Sequence, residues 1–176
     1  AIYSIEKLSS IKNKRILLLG AGGAGKAIAF GIADRQGELI ISNRDQKKAL
    51  ELSKNLGAET VLWEDRNDVD FDILVNATNI GMSPRENICP MEDSFFEKDL
   101  SGITVFDAVY SPIDTKLLMR SKEHGANIAN GLDMYIGQAM AQFELWTGIK
   151  PSPAKMEKFS RDAIEMRDEY NENKKN

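Results

Sequence analysis

The chain has 176 residues, 42% hydrophobic and 28% charged, ordinary values for one globular domain that buries a single sizeable core. A net charge of -4 and a pI of about 5.2 argue against nucleic-acid binding, because an acidic surface repels phosphate backbones. The apolar runs are too short for a membrane span, no secretory leader is readable and the lone Cys89 has no disulfide partner, so a cytoplasmic location is expected.

Ala1-Ile2-Tyr3-Ser4-Ile5 reads as the interior of a helix without a cap or an initiator methionine. It predicts a chain that begins inside a longer protein, with a first helix over Tyr3 to Leu8. Arg15 to Leu19 is apolar enough for a strand covered on both faces. A helix follows from about Ala24 to Arg35, with apolar Ala27, Ile28, Phe30, Ile32 and Ala33. A strand at Glu38 to Ser42 leads to a helix over Gln46 to Leu56, stopped by Gly57. Short strands are predicted at Thr60 to Leu62, Asp72 to Asn76 and Ile103 to Asp107. Asn79 to Pro90 is a loop rich in Gly, Ser and Pro. A helix over Lys116 to His124, a strand at Asn127 to Ala129 and a long helix over Leu132 to Trp146 complete the alternation. This order predicts an α/β, doubly wound, Rossmann-like parallel sheet of about six strands with flanking helices, in the order 3-2-1-4-5-6.

The composition shifts after Pro151-Ser152-Pro153. Residues 1–150 read as a dinucleotide-binding domain. Residues 151–176 read as an amphipathic helix carrying Met156, Phe159, Ala163 and Met166, then a disordered end over Asn171 to Asn176.

Gly20-Ala21-Gly22-Gly23-Ala24-Gly25 holds G-x-G-x-x-G directly after a strand and at the start of a helix, the context that gives the motif its meaning. Gly20 permits the turn, Gly22 lets backbone approach a pyrophosphate, and Gly25 lets helix and strand pack closely. The free amides and positive end of the helix then face the phosphates. A phosphate loop of the Mg-binding kind is excluded, because Lys26 is followed by Ala27 rather than Ser or Thr.

The end of the second strand selects the cofactor. NAD binders commonly place a carboxylate there for the ribose 2′-hydroxyl. Here Ser42-Asn43-Arg44-Asp45-Gln46-Lys47-Lys48 offers the planar fork of Arg44 to a 2′-phosphate, with lysines beside it. NADP is therefore expected. Asp45 leaves NAD open: it either caps the following helix, the reading preferred here, or bonds a 2′-hydroxyl.

Acid/base chemistry is harder to find. His124 sits at a helix end, where a cation is favoured for structural reasons. Cys89 has no His or Cys partners that would make a metal site. Tyr3-x-x-x-Lys7 has the spacing of a short-chain-dehydrogenase pair but precedes the glycine loop, so it reads as helical coincidence. No proton donor stands out by spacing.

Four segments read together resemble the shikimate dehydrogenase family over about Lys14 to Met156, most closely its members fused to a dehydroquinate dehydratase. Asn43-Arg44 with Lys48 resembles the family's Asn-Arg-Thr-x-x-Arg cofactor clamp, with Asp45 in place of Thr and Lys48 in place of the second Arg. Asn76-Ala77-Thr78-Asn79-Ile80-Gly81-Met82 resembles the segment lying along the cofactor. Asp107-Ala108-Val109-Tyr110-Ser111-Pro112, with Thr115 and Leu117-Leu118, resembles the segment whose Tyr borders substrate and nicotinamide. Asn130-Gly131-Leu132-Asp133-Met134-Tyr135-Ile136-Gly137-Gln138, with Phe143 and Trp146-Thr147-Gly148, resembles the segment whose Gly and Met carbonyls border the nicotinamide and whose Gln reaches substrate.

The resemblance implies cofactor contacts from Gly20, Ala21, Gly22, Gly23, Ala24, Gly25, Asn43, Arg44, Lys48, Asn76, Thr78, Asn79, Ile80, Gly81, Met82, Val109, Gly131 and Met134. It implies substrate contacts from Tyr110 and Gln138. It further implies NADPH-dependent reduction of 3-dehydroshikimate in aromatic amino-acid synthesis. The family's catalytic Lys and the Asp of its Asn-Thr-Asp segment would precede Ala1, and its shikimate-binding domain would be absent from this chain. No catalytic residue, metal, nucleic acid or membrane is expected here. An NAD-using quinate/shikimate paralog and a non-catalytic dinucleotide-binding module remain as alternatives.

Overall fold

The computed structural model describes residues 1–173. Six parallel strands form one sheet in the order β3-β2-β1-β4-β5-β6: β1 Arg15–Leu19, β2 Glu38–Ser42, β3 Glu59–Val61, β4 Ile73–Asn76, β5 Thr104–Asp107 and β6 Asn127–Ala129. Six α-helices accompany them: α1 Ile2–Glu6, α2 Gly23–Ala33, α3 Gln46–Leu56, α4 Lys116–Glu123, α5 Leu132–Thr147 and α6 Pro153–Asn173. The doubly wound order predicted from sequence is the one observed. Its reversal point lies between β1, which leads outward to β2 and β3, and β4, which leads outward to β5 and β6.

The period-2 alternation of strands sorts the core into two layers. Ile16 and Leu18 of β1, Ile41 of β2, Ile73 and Val75 of β4 and Phe106 of β5 pack with Ile5, Ile28, Ile32 and Leu52 from α1, α2 and α3. Leu17, Leu19, Ile40, Leu74 and Val105 face the other way, onto Phe95, Phe96, Leu117 and Leu118. Register follows this sorting: Leu17 lies beside Ile40 on one side and Leu74 on the other. A one-residue slip would exchange the two layers. Each fully buried Leu or Ile contributes roughly 1.5–3 kcal/mol of burial, so the centre of the sheet is its rigid part.

Helix α3 has the predicted bounds because both ends carry a stop. The Asp45 carboxylate accepts the Lys47 N–H at 3.2 Å, and Gly57 closes the helix in the left-handed conformation. Helix α2 departs from expectation on one side: Gly25, Ile28, Ala29 and Ile32 face the sheet, so Ala27 and Phe30 point to solvent. Helix α1 ends at Glu6 rather than Leu8. Two short 3-10 turns, Arg66–Asp68 and Asp93–Glu97, were not predicted.

Helix α6 packs on α5 through Met156 and Ile164, which meet Leu132, Ile136, Tyr110 and Tyr135. The stripe read from sequence is only partly the buried one: Phe159 and Met166 are exposed, while Ser160 and Ile164 are buried. Asn171 to Asn173, expected to be disordered, continue α6, and the rest of that expected segment lies outside the described residues. No helix among the described residues is long and apolar enough to cross a membrane.

Candidate functional site

The carboxyl ends of the central strands carry the segments singled out by sequence, and direct contacts link them in a row. At β1, Gly20 turns the chain with φ of +106°, where a side chain would be strained and its Cβ would lie 3.0 Å from the Ala77 carbonyl carbon. Helix α2 then closes onto this turn. A Cβ on Gly25 would stand 2.1 Å from the Gly20 carbonyl oxygen, so only glycine permits the approach. Gly22 and Gly23, by contrast, face open space: nothing lies within 4 Å of where their Cβ atoms would be. Gly22 is the N-cap of α2 and offers no side-chain cap, which leaves the first amides of the helix to another acceptor.

At the end of β2, Asn43 acts as a strut. Its Oδ1 accepts the Ala21 N–H at 3.1 Å and its Nδ2 donates to the Asp45 carbonyl at 2.9 Å. This side chain pins the glycine loop against β2. Asp45 is committed to capping α3 and lies 3.7 Å from the Lys48 ammonium. Arg44 is exposed and has no hydrogen-bond or ion-pair partner among the described residues. Gly20, Gly22, Asn43, Arg44, Trp63, Ala77, Thr78 and Asn79 together line a cavity of about 230 Å³. A larger hollow of about 380 Å³ lies at the opposite, amino-terminal edge of the strands, lined by residues such as Arg15, Glu38 and Glu59. None of the motif residues reaches it.

A buried polar network joins the ends of β4 and β5. Asn76 is 0% exposed and donates to the Asp107 carboxylate at 2.9 Å, while its Oδ1 accepts from the Thr78 hydroxyl at 2.7 Å. Thr78 Oγ1 in turn accepts the Ile80 N–H at 3.1 Å. Asp107 also accepts the Val109 N–H at 3.0 Å and the Thr115 hydroxyl at 2.7 Å. Burial pushes the Asp107 carboxyl up to about 7, against the pull of these three donated bonds. Sequence placed Asn76 against the cofactor. Its side chain instead faces inward, so its work is to shape the loops. Asp107 and Thr115 were part of the resemblance without a role. The signal available for them was a carboxylate closing a strand that otherwise reads Thr-Val-Phe, with a Thr at the N-cap of α4.

The row ends at α5. The Gly131 N–H donates to the Val109 carbonyl at 3.3 Å, and a Cβ on Gly131 would stand 2.2 Å from the Ala108 carbonyl oxygen. Val109 is buried and Met134 packs on the first core layer, so side chains from both help set the spacing of this end. Tyr110 stacks on Tyr135 with centroids 4.4 Å apart, and Gln138 is exposed on α5. In the loop after β4, Ile80 is half-buried and Gly81 buried, while Asn79 and Met82 are exposed. Ala24, in the glycine loop, and Lys48, on α3, are exposed.

The remaining candidates have structural places. His124 caps α4, with Nδ1 2.8 Å from the Arg120 carbonyl oxygen. Lys7 pairs with Asp133 at 2.9 Å and docks α1 on α5, with its ammonium 4.6 Å from the Tyr3 ring centre. Burial pushes the Cys89 thiol up, which makes it a poor nucleophile. No group of three His, Cys, Asp or Glu among the described residues could hold a metal ion.

The chain is similar to known proteins over most of its length. The family described as Shikimate / quinate 5-dehydrogenase matches residues 4–86, and the one described as Shikimate 5'-dehydrogenase C-terminal domain matches residues 131–158. A shikimate dehydrogenase (NADP(+)) from Methanosphaera stadtmanae is 39% identical over 168 residues, covering 90% of this chain and 59% of that protein. The structure of shikimate 5-dehydrogenase from Thermus thermophilus in complex with NADP(H) and shikimate matches with a TM-score of 0.77 and 32% identity, over 92% of this chain and 59% of that one. Quinate dehydrogenase from Corynebacterium glutamicum in complex with NAD matches with a TM-score of 0.75 and 28% identity, over 89% of this chain and 56% of that one. The chain thus spans less than two thirds of the length of these relatives.

Proposed function

This chain belongs to the shikimate dehydrogenase family, and we propose that residues 1–150 are its NADP-binding domain, serving hydride transfer between NADPH and 3-dehydroshikimate in the aromatic amino-acid branch of metabolism. The observation that carries this reading is the pairing of an open helix N-terminus at Gly22 with Arg44, unpartnered among the described residues, across the same cavity. The cavity offers an anionic group a partner at both places. The first amides of α2 would hold the pyrophosphate, and Arg44, with Lys48 near it, would hold the 2′-phosphate. When bound, the nicotinamide supplies the hydride. The chain's own work is to fix the cofactor, with the Gly131–Val109 contact and Tyr110 shaping the end toward substrate.

The shikimate-binding domain and the acid/base pair are assigned to the part of the relatives' length that this chain does not span. The exposed apolar sides of α1 and α6 would dock that domain; Tyr3 is 70% exposed and Phe159 65% exposed. A cytoplasmic location fits this role. Alone, the chain is expected to bind NADP and to turn over shikimate negligibly. Activity within about tenfold of a full-length enzyme, a barrier loss of only ~1.4 kcal/mol, would defeat that expectation.

Cofactor choice has a direct test. The Asp45 carboxylate is occupied by the cap of α3, which favours NADP over the NAD-using paralog. Arg44→Ala should weaken NADP binding by about 10–100-fold, the loss of a charge-assisted contact of roughly 1.5–3 kcal/mol. NAD binding should change by less than about twofold. Calorimetric titration with both nucleotides decides it, and equal losses would reject Arg44 as the reader of the 2′-phosphate. A non-catalytic module would bind NADP equally well but stay inactive when supplied with the domain that completes its relatives.

A further inference from the structure

Trp63 follows the end of β3, the outermost strand on the glycine-loop side of the sheet. It had no part in the motifs, yet it lines the same cavity as Gly20, Gly22, Asn43 and Arg44. Behind it stands Arg66, whose guanidinium carbon lies 4.5 Å from the indole ring centre. Arg66 is only 7% exposed, and its guanidinium donates to the Pro90 carbonyl at 2.6 Å, to the Trp63 carbonyl and to the Glu92 carboxylate. A buried guanidinium is costly unless paired, and this one is held by three acceptors that span two loops. The indole therefore rests on a fixed charged plate. Trp63 is half-buried: it packs against the second core layer and lines the cavity.

The order of the strands gives this wall a ligand. A dinucleotide whose pyrophosphate sits at the end of β1 and whose 2′-phosphate sits at the end of β2 carries its base outward, toward β3. We propose that Trp63 is the adenine wall of the site, its indole packing against the purine with Arg66 as rigid backing. The assignment rests on the dinucleotide reading above and adds a residue that the family motifs do not contain. An indole suits this task because every base offers a π-face, and the contact needs no particular hydrogen-bond pattern.

The chain has two tryptophans, and the other, Trp146, is 76% exposed on α5. In a Trp146→Phe background, emission reports Trp63 alone. Adenosine 2′,5′-bisphosphate, which carries base and 2′-phosphate without nicotinamide, should quench that emission on binding. Nicotinamide mononucleotide at the same concentration should not. Trp63→Leu, which keeps apolar volume without the extended ring, should weaken adenosine 2′,5′-bisphosphate about tenfold by calorimetry, within the range that base–aromatic stacking gives. Trp63→Phe should stay within about threefold of the parent, since it retains a ring face. Calorimetric binding of the bisphosphate without quenching, or a Trp63→Leu affinity within about twofold of the parent, would overturn the adenine wall and leave the dinucleotide reading intact. Failure of the parent chain to bind either NADP or the bisphosphate would sink both.

Discussion

The two ends of the row of motif segments are built from different materials. At the β1–β2 end the surface is mostly backbone: the Gly20 turn, the free amides of α2 and the Asn43 strut that holds them. At the β5–α5 end it is mostly side chains: the Tyr110–Tyr135 stack, the Arg167 guanidinium carbon 5.9 Å from the Tyr110 ring centre and Ile164 of α6 beneath. The first end is bordered by polar groups facing open space. The second adjoins helices whose outer faces leave Leu145 81% and Trp146 76% exposed. A backbone surface tolerates few substitutions and resists change. A side-chain surface adjusts, and its apolar neighbours invite a partner.

The comparison breaks first if the backbone end turns out to be tolerant. Gly25→Val places side-chain atoms against the Gly20 carbonyl, where even a Cβ has only 2.1 Å. Either α2 moves or the loop opens, and both spoil the proposed phosphate cradle. The expected result is loss of NADP binding by more than about 100-fold, with a stability loss on the order of 1–3 kcal/mol. Calorimetry and urea unfolding would measure them. A variant that binds NADP within about tenfold of the parent would show that α2 does not need its close seat on β1.

The buried bridge between the two ends gives the next largest effect, and it depends on pH. Asp107 is held near 7 by burial, while an unfolded Asp titrates near ~3.9. The folded state therefore binds this proton more tightly than the unfolded one. Its contribution is fully present below about pH 4 and is lost as pH rises through about 7, at roughly 1.4 kcal/mol per pH unit inside that window. Asp107→Asn keeps the acceptor for Asn76 and Val109 and removes the titration. Urea midpoints followed from pH 4 to pH 8 should fall for the parent and stay flatter for the variant. Parallel curves would mean that the three donated hydrogen bonds hold Asp107 charged throughout.

How much of this was readable from sequence follows the same division. Strand β1 was legible because a run of apolar residues covered on both faces has one reading, and α3 was legible because Asp45 and Gly57 mark both ends. The glycine loop was legible because its chemistry is local. Trp63 and Arg66 were not, since a half-buried indole and a buried cation acquire their meaning from Pro90 and Glu92, far along the chain. Asn76 was assigned to the cofactor through the resemblance of its segment, which does not say on which side of the turn its amide lies. The buried face of α6 was misjudged for a related reason: Phe159 and Met166 are more apolar than Ser160, yet the helix seats Ser160 and Ile164 inward.

The smallest effects belong to the side-chain end and sharpen the comparison most. Tyr110→Leu removes one ring of a stacked pair worth about 0.5–1.5 kcal/mol beyond its burial, and the lost area adds little because Leu refills part of it. Gln138→Ala changes an exposed side chain on α5 and should move stability by less than about 0.5 kcal/mol. Neither should shift NADP affinity in this chain by more than about twofold, because the groups assigned to the phosphates lie at the other end of the row. Both should matter only where substrate meets nicotinamide, so in a chain that also carries the shikimate-binding domain each should raise the KM for shikimate. A drop in NADP affinity of about tenfold from either would mean that α5 reports back to the glycine loop through Gly131, Val109 and Asp107, and that the two ends act as one rigid surface.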